Sequence, residues 1–347
     1  MSTPIKKMPY VQLGKSGLKV SKIILGCGSY GSSQWADWVI EDEQEAFKHI
    51  KFAYDHGIQT FDTADMYSNG QSEIILGKAI RELQLPRDEL VIMTKVFFPV
   101  GKNHTTGLNP DEIGLVNQYG LSRKVRCFSV SSFLERLQLD YVEVLQWKFD
   151  LNTPIEETMQ ALHDVVKTGY ARYIGMSSCY AYQFHAMQNY AISHNLTPFI
   201  SMQNHYNLVY REEEREMFPT LKLFGVGAIP WSPLARGFLT RPLSVSTKRS
   251  ETDKYAQQLS TIRDLDGPSV DTQDIVNRVE ELAKKKGVTM AQIGTAWILA
   301  KDGVTAPIVG STNLKNLEDL VAAVHISLSE DKFLEEAYKP SAVLGHT

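Results

Sequence analysis

No apolar run in this 347-residue sequence approaches the roughly 20 residues that a membrane-spanning helix needs. An excess of one charge is also lacking: 36 Lys and Arg stand against 40 Asp and Glu, a formal −4. So small a net charge creates no long-range field for nucleic acid or a membrane surface, and the expected partner is a small molecule. Cysteine is scarce, and Cys27, Cys127 and Cys179 form an odd set without metal-type spacing. With no His-Glu-x-x-His, Cys-x-x-Cys or calcium-loop order, no metal is expected. Nothing at the N-terminus resembles an apolar signal region, so a reduced, cytoplasmic protein is expected. No linker interrupts the chain, which reads as one domain over residues 1–347.

Against these absences stands a rhythm of short apolar runs and longer stretches of helical period. Residues 10–20 read as a hairpin turning at Gly14-Lys15-Ser16-Gly17. Strand candidates follow at 23–25, 60–62, 90–95, 141–146, 172–176, 199–203, 226–231 and 306–309. Between them the spacing predicts helices. Asp42 and Glu45, spaced as a capping box, open one that carries Phe47, Ile50, Ala53 and Tyr54 on one face. Leu76, Ala79, Ile80 and Leu83 mark a second. A later one covers 211–224, where the charge run Arg211-Glu212-Glu213-Glu214-Arg215-Glu216 reads as a solvated face.

Eight such alternations suit an α/β fold with a closed, eight-stranded parallel (β/α)8 TIM barrel, preceded by the hairpin; an open doubly wound sheet is the rival. Long loops after Leu25, Lys95 and Trp231 would lie on the barrel face that carries active sites. Residues 241–272, rich in Ser, Thr, Asp and Lys, read either as a mobile lid or as a surface insertion.

The chemistry is expected to centre on Phe61-Asp62-Thr63-Ala64-Asp65-Met66-Tyr67, where a strand ends in a carboxylate and a phenol follows five residues later. Lys95 closes the next strand candidate. Alone, each residue has an ordinary reading: Asp62 as a cap, Tyr67 as a half-buried aromatic, Lys95 as a solvated strand end. Jointly, at the ends of consecutive strands, they put a phenol beside an ammonium and a carboxylate. Gly26-Cys27-Gly28-Ser29-Tyr30-Gly31 matches a dinucleotide-binding glycine motif, but no helix opens at its third glycine, which that motif requires. Tyr30, Trp35 and Trp38 are read instead as apolar walls for a substrate.

Taken with Gly175-Met176-Ser177-Ser178, Gln203-Asn204, Trp231-Ser232-Pro233-Leu234-Ala235-Arg236-Gly237 and Ile308-Val309-Gly310-Ser311, that stretch makes the sequence resemble the aldo-keto reductase superfamily, in particular its fungal aryl-alcohol-dehydrogenase-like branch. The likeness covers nearly the whole chain. It implies NADPH-dependent reduction of an aldehyde or ketone to an alcohol, with Tyr67 as proton donor. A free tyrosine has a pKa of about 10 and is a poor acid near neutrality; an adjacent Lys95 ammonium would favour the phenolate, and Asp62 would hold that ammonium. The resemblance also puts Ser177 or Ser178 and Gln203 on the nicotinamide carboxamide and Trp231 against the ring. Ser232, Leu234 and Gly237 would line the pyrophosphate, and Gly310, Ser311, Thr312 and Lys315 the 2′-phosphate of NADP(H). The basic residue usual two places after Ser311 is Asn313 here.

One further departure bears on activity. The branch usually ends its fourth strand in Gln-x-His-Arg-Phe-Asp, and this chain has Gln146-Trp147-Lys148-Phe149-Asp150, one residue shorter. The simplest alignment places the gap at the His, whose loss as a carbonyl-polarising donor would cost about 10²–10³ in rate. His205 shares strand parity with Gln203, but its ordinary reading is a satisfied loop histidine. The alternative function is therefore a nicotinamide-binding redox sensor or regulatory subunit with little catalysis.

Overall fold

The structure is a computed structural model and describes residues 8–101, 110–112, 114–245, 252 and 270–346, without the side chains of 125–129. The hairpin forms where the glycines predict it. Strand β1 (Tyr10–Gln12) pairs antiparallel with β2 (Lys19–Ser21), and Leu13 N–H donates to Leu18 O at 2.8 Å to close the turn.

The apolar runs become parallel strands: β3 (Ile24–Gly26), β4 (Thr60–Asp62), β5 (Val91–Val96), β6 (Val142–Lys148), β7 (Ala171–Ser177), β8 (Phe199–Gln203), β9 (Gly227–Ala228) and β10 (Ile308–Val309). Their order is β10-β3-β4-β5-β6-β7-β8-β9, and parallel bridges from Ala228 to Val304 and from Trp231 to Ile308 join the two ends. The result is the (β/α)8 barrel. The seventh run is shorter than the 226–231 expected, because Pro230 has no N–H to give to a ladder; its carbonyl accepts from Ile308 N–H at 2.8 Å instead.

Alternation along each strand sorts the barrel into two layers. Leu13 and Val20 of the hairpin region, with Ile24, Val91, Met93, Val144 and Ile229, pack an apolar floor inside the ring. One inward step further along the same strands come Lys95 and Gln146, both beyond that floor. The polar layer thus lies toward the C-terminal ends of the strands. Outside the ring, helices cover the sheet: α1 (Glu43–Asp55), α2 (Gln71–Glu82), α3 (Arg123–Leu137), α4 (Ile155–Lys167), α5 (Ala181–Ser193), α6 (Met217–Phe224), α7 (Val270–Lys286), α8 (Met290–Ala300) and α9 (Leu314–Ala322). Asp42 caps α1 by accepting from Gln44 N–H at 2.9 Å, and Phe47, Ile50 and Ala53 are buried as their spacing predicts. Among the described residues, no helix is long and apolar enough to cross a membrane.

Two expectations change. The charge run at 211–216 is not a solvated helix face: it forms a short 3-10 turn at Glu212–Glu214, and α6 starts only at Met217. Glu213, 2 % exposed, accepts from Asn204 Nδ2 at 2.8 Å and pairs with His346 Nε2 at 2.9 Å. Glu212 accepts from Ser341 N–H at 2.8 Å and from the Tyr338 hydroxyl. The run anchors the C-terminal segment instead of facing water. Of the lid expected over 241–272, only 241–245, 252 and 270–272 are described, the last three opening α7; the lid itself lies outside the described residues.

Candidate active site

Strands β4 and β5 end side by side, and this brings the expected pair together. Lys95 Nζ donates to Asp62 Oδ2 at 2.5 Å and to Thr63 O at 2.8 Å, and lies 3.4 Å from the Tyr67 hydroxyl. The ammonium also sits 4.9 Å from the centroid of the Tyr67 ring. Burial works against the Lys95 charge, but Asp62 and then the Tyr67 oxygen outweigh it and hold the ammonium above the usual lysine range. Tyr67 itself is half-buried on a short 3-10 turn, with Ser68 and Asn69 in left-handed backbone (φ 49° and 54°). Such conformations cost about 1–3 kcal/mol each and collect where a side chain must be aimed.

The second carboxylate of the stretch, Asp65, takes no part in this pair. Buried beneath the loop, it accepts from Phe97 N–H at 3.2 Å, and burial, followed by the charge of Glu73, pushes its carboxyl well above the usual range. Glu73 in turn is held by Arg136 Nε at 2.6 Å.

Behind Asp62 lies a network that the sequence did not reveal. Gln146 Nε2 donates to Asp62 Oδ1 at 2.7 Å, and Gln203 Nε2 donates both to the same oxygen at 2.9 Å and to Gln146 Oε1 at 2.7 Å. All three residues are buried. Gln203, expected on the nicotinamide carboxamide, therefore has its amide hydrogens committed across the barrel. Gln146 was missed because an uncharged amide inside a strand carries no signal except its parity with Lys148.

The glycine-rich loop after β3 has no phosphate-binding helix: Cys27–Ser29 make one 3-10 turn, and Gly28 lies so close to the Tyr67 ring that a Cβ there would sit 3.3 Å from its Cε2. Trp35 stands 6.0 Å from the Tyr67 ring centroid, and Trp38 packs 5.8 Å from Trp35 on its edge. Tyr30 does not form a wall. It is fully buried with its ring edge-on to His49, because its backbone bridge to Ile40 turns the side chain inward.

Around the mouth, β7 and β8 carry the next group. Ser177 Oγ donates to Gln203 O at 3.1 Å, and Ser178, left-handed at φ 46°, donates its N–H to the same carbonyl at 3.1 Å. Trp231 Nε1 donates to Ser178 Oγ at 3.2 Å. The Trp231 ring stacks on His205 at 4.3 Å, which stacks on Tyr210 at 4.6 Å. His205 is thus a buried platform. Asn207 Nδ2 lies 3.0 Å from its Nε2, and burial, with lesser pushes from Arg236 and His346, drives its pKa down to about 3.

The loop after Trp231 holds Ser232, Ala235, Arg236 and Gly237 at φ 51°, 49°, 54° and 103°, a run of left-handed backbone suited to turning N–H groups toward an anion. Leu234 packs its side chain against Gly294 of α8. Arg241, a residue sequence reasoning passed over, donates from Nη1 to Gly237 O at 2.9 Å. At the start of α9, Ser311 is buried while Gly310, Thr312 and Lys315 are exposed, and Asn313 caps the helix by accepting from Lys315 N–H at 2.8 Å.

The shortened motif lies at the end of strand β6. The strand runs in unbroken register from Val142 to Lys148, with Lys95 opposite Gln146 and Ser177 opposite Lys148. Trp147 is 1 % exposed and packs outward. Lys148 therefore shares the inward face with Gln146, two places on. The register is even along the whole strand, so no strand slip results.

Residues 22–336 match the model of the Aldo/keto reductase family. A provisionally named aryl-alcohol dehydrogenase of Schizosaccharomyces pombe is 49% identical, with 97% of each chain covered. The versiconal hemiacetal acetate reductase of Aspergillus parasiticus is 47% identical over 97% of this chain and 98% of its own. An aldo-keto reductase of Fusarium vanettenii is 43% identical over 98% and 94%.

Proposed function

Since the chain belongs to the aldo/keto reductase family, we propose that it reduces an aldehyde or ketone, preferably aromatic, to an alcohol with NADPH. The observation that carries this reading is the Tyr67 hydroxyl 3.4 Å from a Lys95 ammonium that Asp62 holds at 2.5 Å. Tyr67 gives its proton to the carbonyl oxygen as that oxygen becomes an alkoxide. Lys95 stabilises the phenolate left behind, and Asp62, itself held by Gln146 and Gln203, keeps the ammonium in place. Trp35 and Trp38 line the approach to Tyr67 and suit a flat aromatic substrate.

A nicotinamide dinucleotide fits the residues of the mouth. Ser177 and Ser178 offer hydroxyls to the carboxamide, and Trp231, backed by His205, offers a flat surface to the ring. The left-handed loop of Ser232, Leu234 and Gly237 would hold the pyrophosphate through its backbone, and Gly310, Ser311, Thr312 and Lys315 the 2′-phosphate at the start of α9. When bound, the nicotinamide supplies the hydride. Burial of the free thiols Cys27 and Cys179 supports a reducing, cytoplasmic setting.

A second reading, a nicotinamide-binding sensor or regulatory subunit, is favoured by one observation: none of the imidazoles described here is brought to the Tyr67 hydroxyl, and the nearest to the cofactor loops, His205, is buried in a stack. The two readings separate on one assay. NADPH consumption is followed across a panel of aromatic aldehydes, with NADH as the comparison. Sustained turnover favouring NADPH upholds the reductase; cofactor binding without turnover supports the sensor.

A further inference from the structure

Among the described residues, Lys148 stands at the mouth without a counter-ion. Gln146, bonded to Asp62 and Gln203, fixes the inward face of β6; Trp147 turns outward into the core; and Lys148 returns inward roughly 6.6 Å further along the strand. Its neighbours in the sheet place it between the Lys95 strand on one side and Ser177 on the other. Its Nζ lies 5.8 Å from the ring centroid of Phe98, a side chain 40 % exposed at the end of the Lys95 strand.

The carboxylates that could neutralise it are committed elsewhere. Asp62 is taken by Lys95 and two amides. Asp150, two residues on, accepts from Leu121 N–H at 2.8 Å, Asn152 N–H at 2.9 Å and Thr153 Oγ1 at 2.7 Å. Asp65 accepts from Phe97 N–H, and its burial favours the neutral carboxyl. Among the described residues no ion pair reaches Lys148, and burial pushes its ammonium below the usual lysine range. An ammonium drawn partly out of water with no partner is costly unless a ligand brings the opposite charge.

We infer that Lys148 is a specificity residue that selects carbonyl substrates carrying a carboxylate, the anion pairing with its ammonium while the carbonyl faces Tyr67. The inference rests on the reductase reading of the same site. A hydrogen bond to a charged group implies a preference of roughly ten- to a hundredfold over a neutral substrate of the same shape. A lysine that merely reaches out to solvent would give none.

The test compares 4-carboxybenzaldehyde with its methyl ester as substrates for the full-length chain with NADPH, in the wild type, Lys148→Met and Lys148→Arg. The wild type is expected to favour the acid in kcat/KM, Lys148→Met to lose that ratio, and Lys148→Arg to keep it. An equal ratio in wild type and Lys148→Met overturns the inference, as does a wild type that prefers the ester. Benzoate binding, read by quenching of tryptophan fluorescence, separates the two levels. If neither aldehyde is reduced, the reductase reading fails, while benzoate quenching lost in Lys148→Met still upholds the cation site. Equal benzoate binding in both proteins overturns it. Matching circular dichroism melts establish that the variants are folded.

Discussion

Gln203 on β8 donates from Nε2 to Asp62 Oδ1 on β4 at 2.9 Å, tying two strands on opposite sides of the barrel through the carboxylate that holds Lys95. The link makes the pocket floor a fixed support and not a lone ion pair. Gln203→Leu should therefore leave Asp62 Oδ1 and Gln146 Oε1 each short of a donor in a buried place. The expected cost is about 1–3 kcal/mol in urea unfolding, with a fall in kcat because Lys95 is less firmly aimed.

His205 makes the fold sensitive to acid. Its pKa is about 3 in the folded chain, against an ordinary value of about 6.5 when unfolded. Below pH 6.5 the unfolded chain binds the extra proton, so stability declines as pH falls from 6.5 toward 3, by up to roughly 1.4 kcal/mol per unit. His205→Phe keeps the stack between Trp231 and Tyr210 and removes this contribution. Unfolding free energies at pH 7.5, 6 and 5 should fall more steeply for the wild type than for the variant.

Asp65 has the opposite sign. A carboxyl raised by burial contributes stability below its unfolded pKa and loses it as pH rises through the folded value. Asp65→Asn keeps an acceptor for Phe97 N–H without the titration, so at pH 8 it should match or exceed the wild type in thermal stability. Asp65→Ala, which removes the acceptor, should melt lower.

These residues also mark how far the sequence could be read. The hairpin, the barrel strands and the Asp62, Tyr67 and Lys95 set follow from local period and from strand ends, and the structure has them where that logic leads. The errors arise where a distant partner decides. Glu212 and Glu213 look solvated until Ser341 and His346, more than a hundred residues later, come to lie on them. Tyr30 looks like a pocket wall because its loop is rich in glycine, yet the Ile40 bridge turns it inward. The shortened motif at Gln146 reads as a lost imidazole, and strand parity puts Lys148, not a histidine, on the face that Gln146 shares.

The most direct measurement of the central claim is turnover by Tyr67→Phe, with NADPH binding measured on the same preparation. The variant keeps the ring beside Gly28 and Trp35 and removes only the hydroxyl 3.4 Å from Lys95. The account predicts NADPH binding close to wild type and a loss of about 10²–10⁴ in kcat with an aromatic aldehyde. Wild-type turnover by Tyr67→Phe would contradict it.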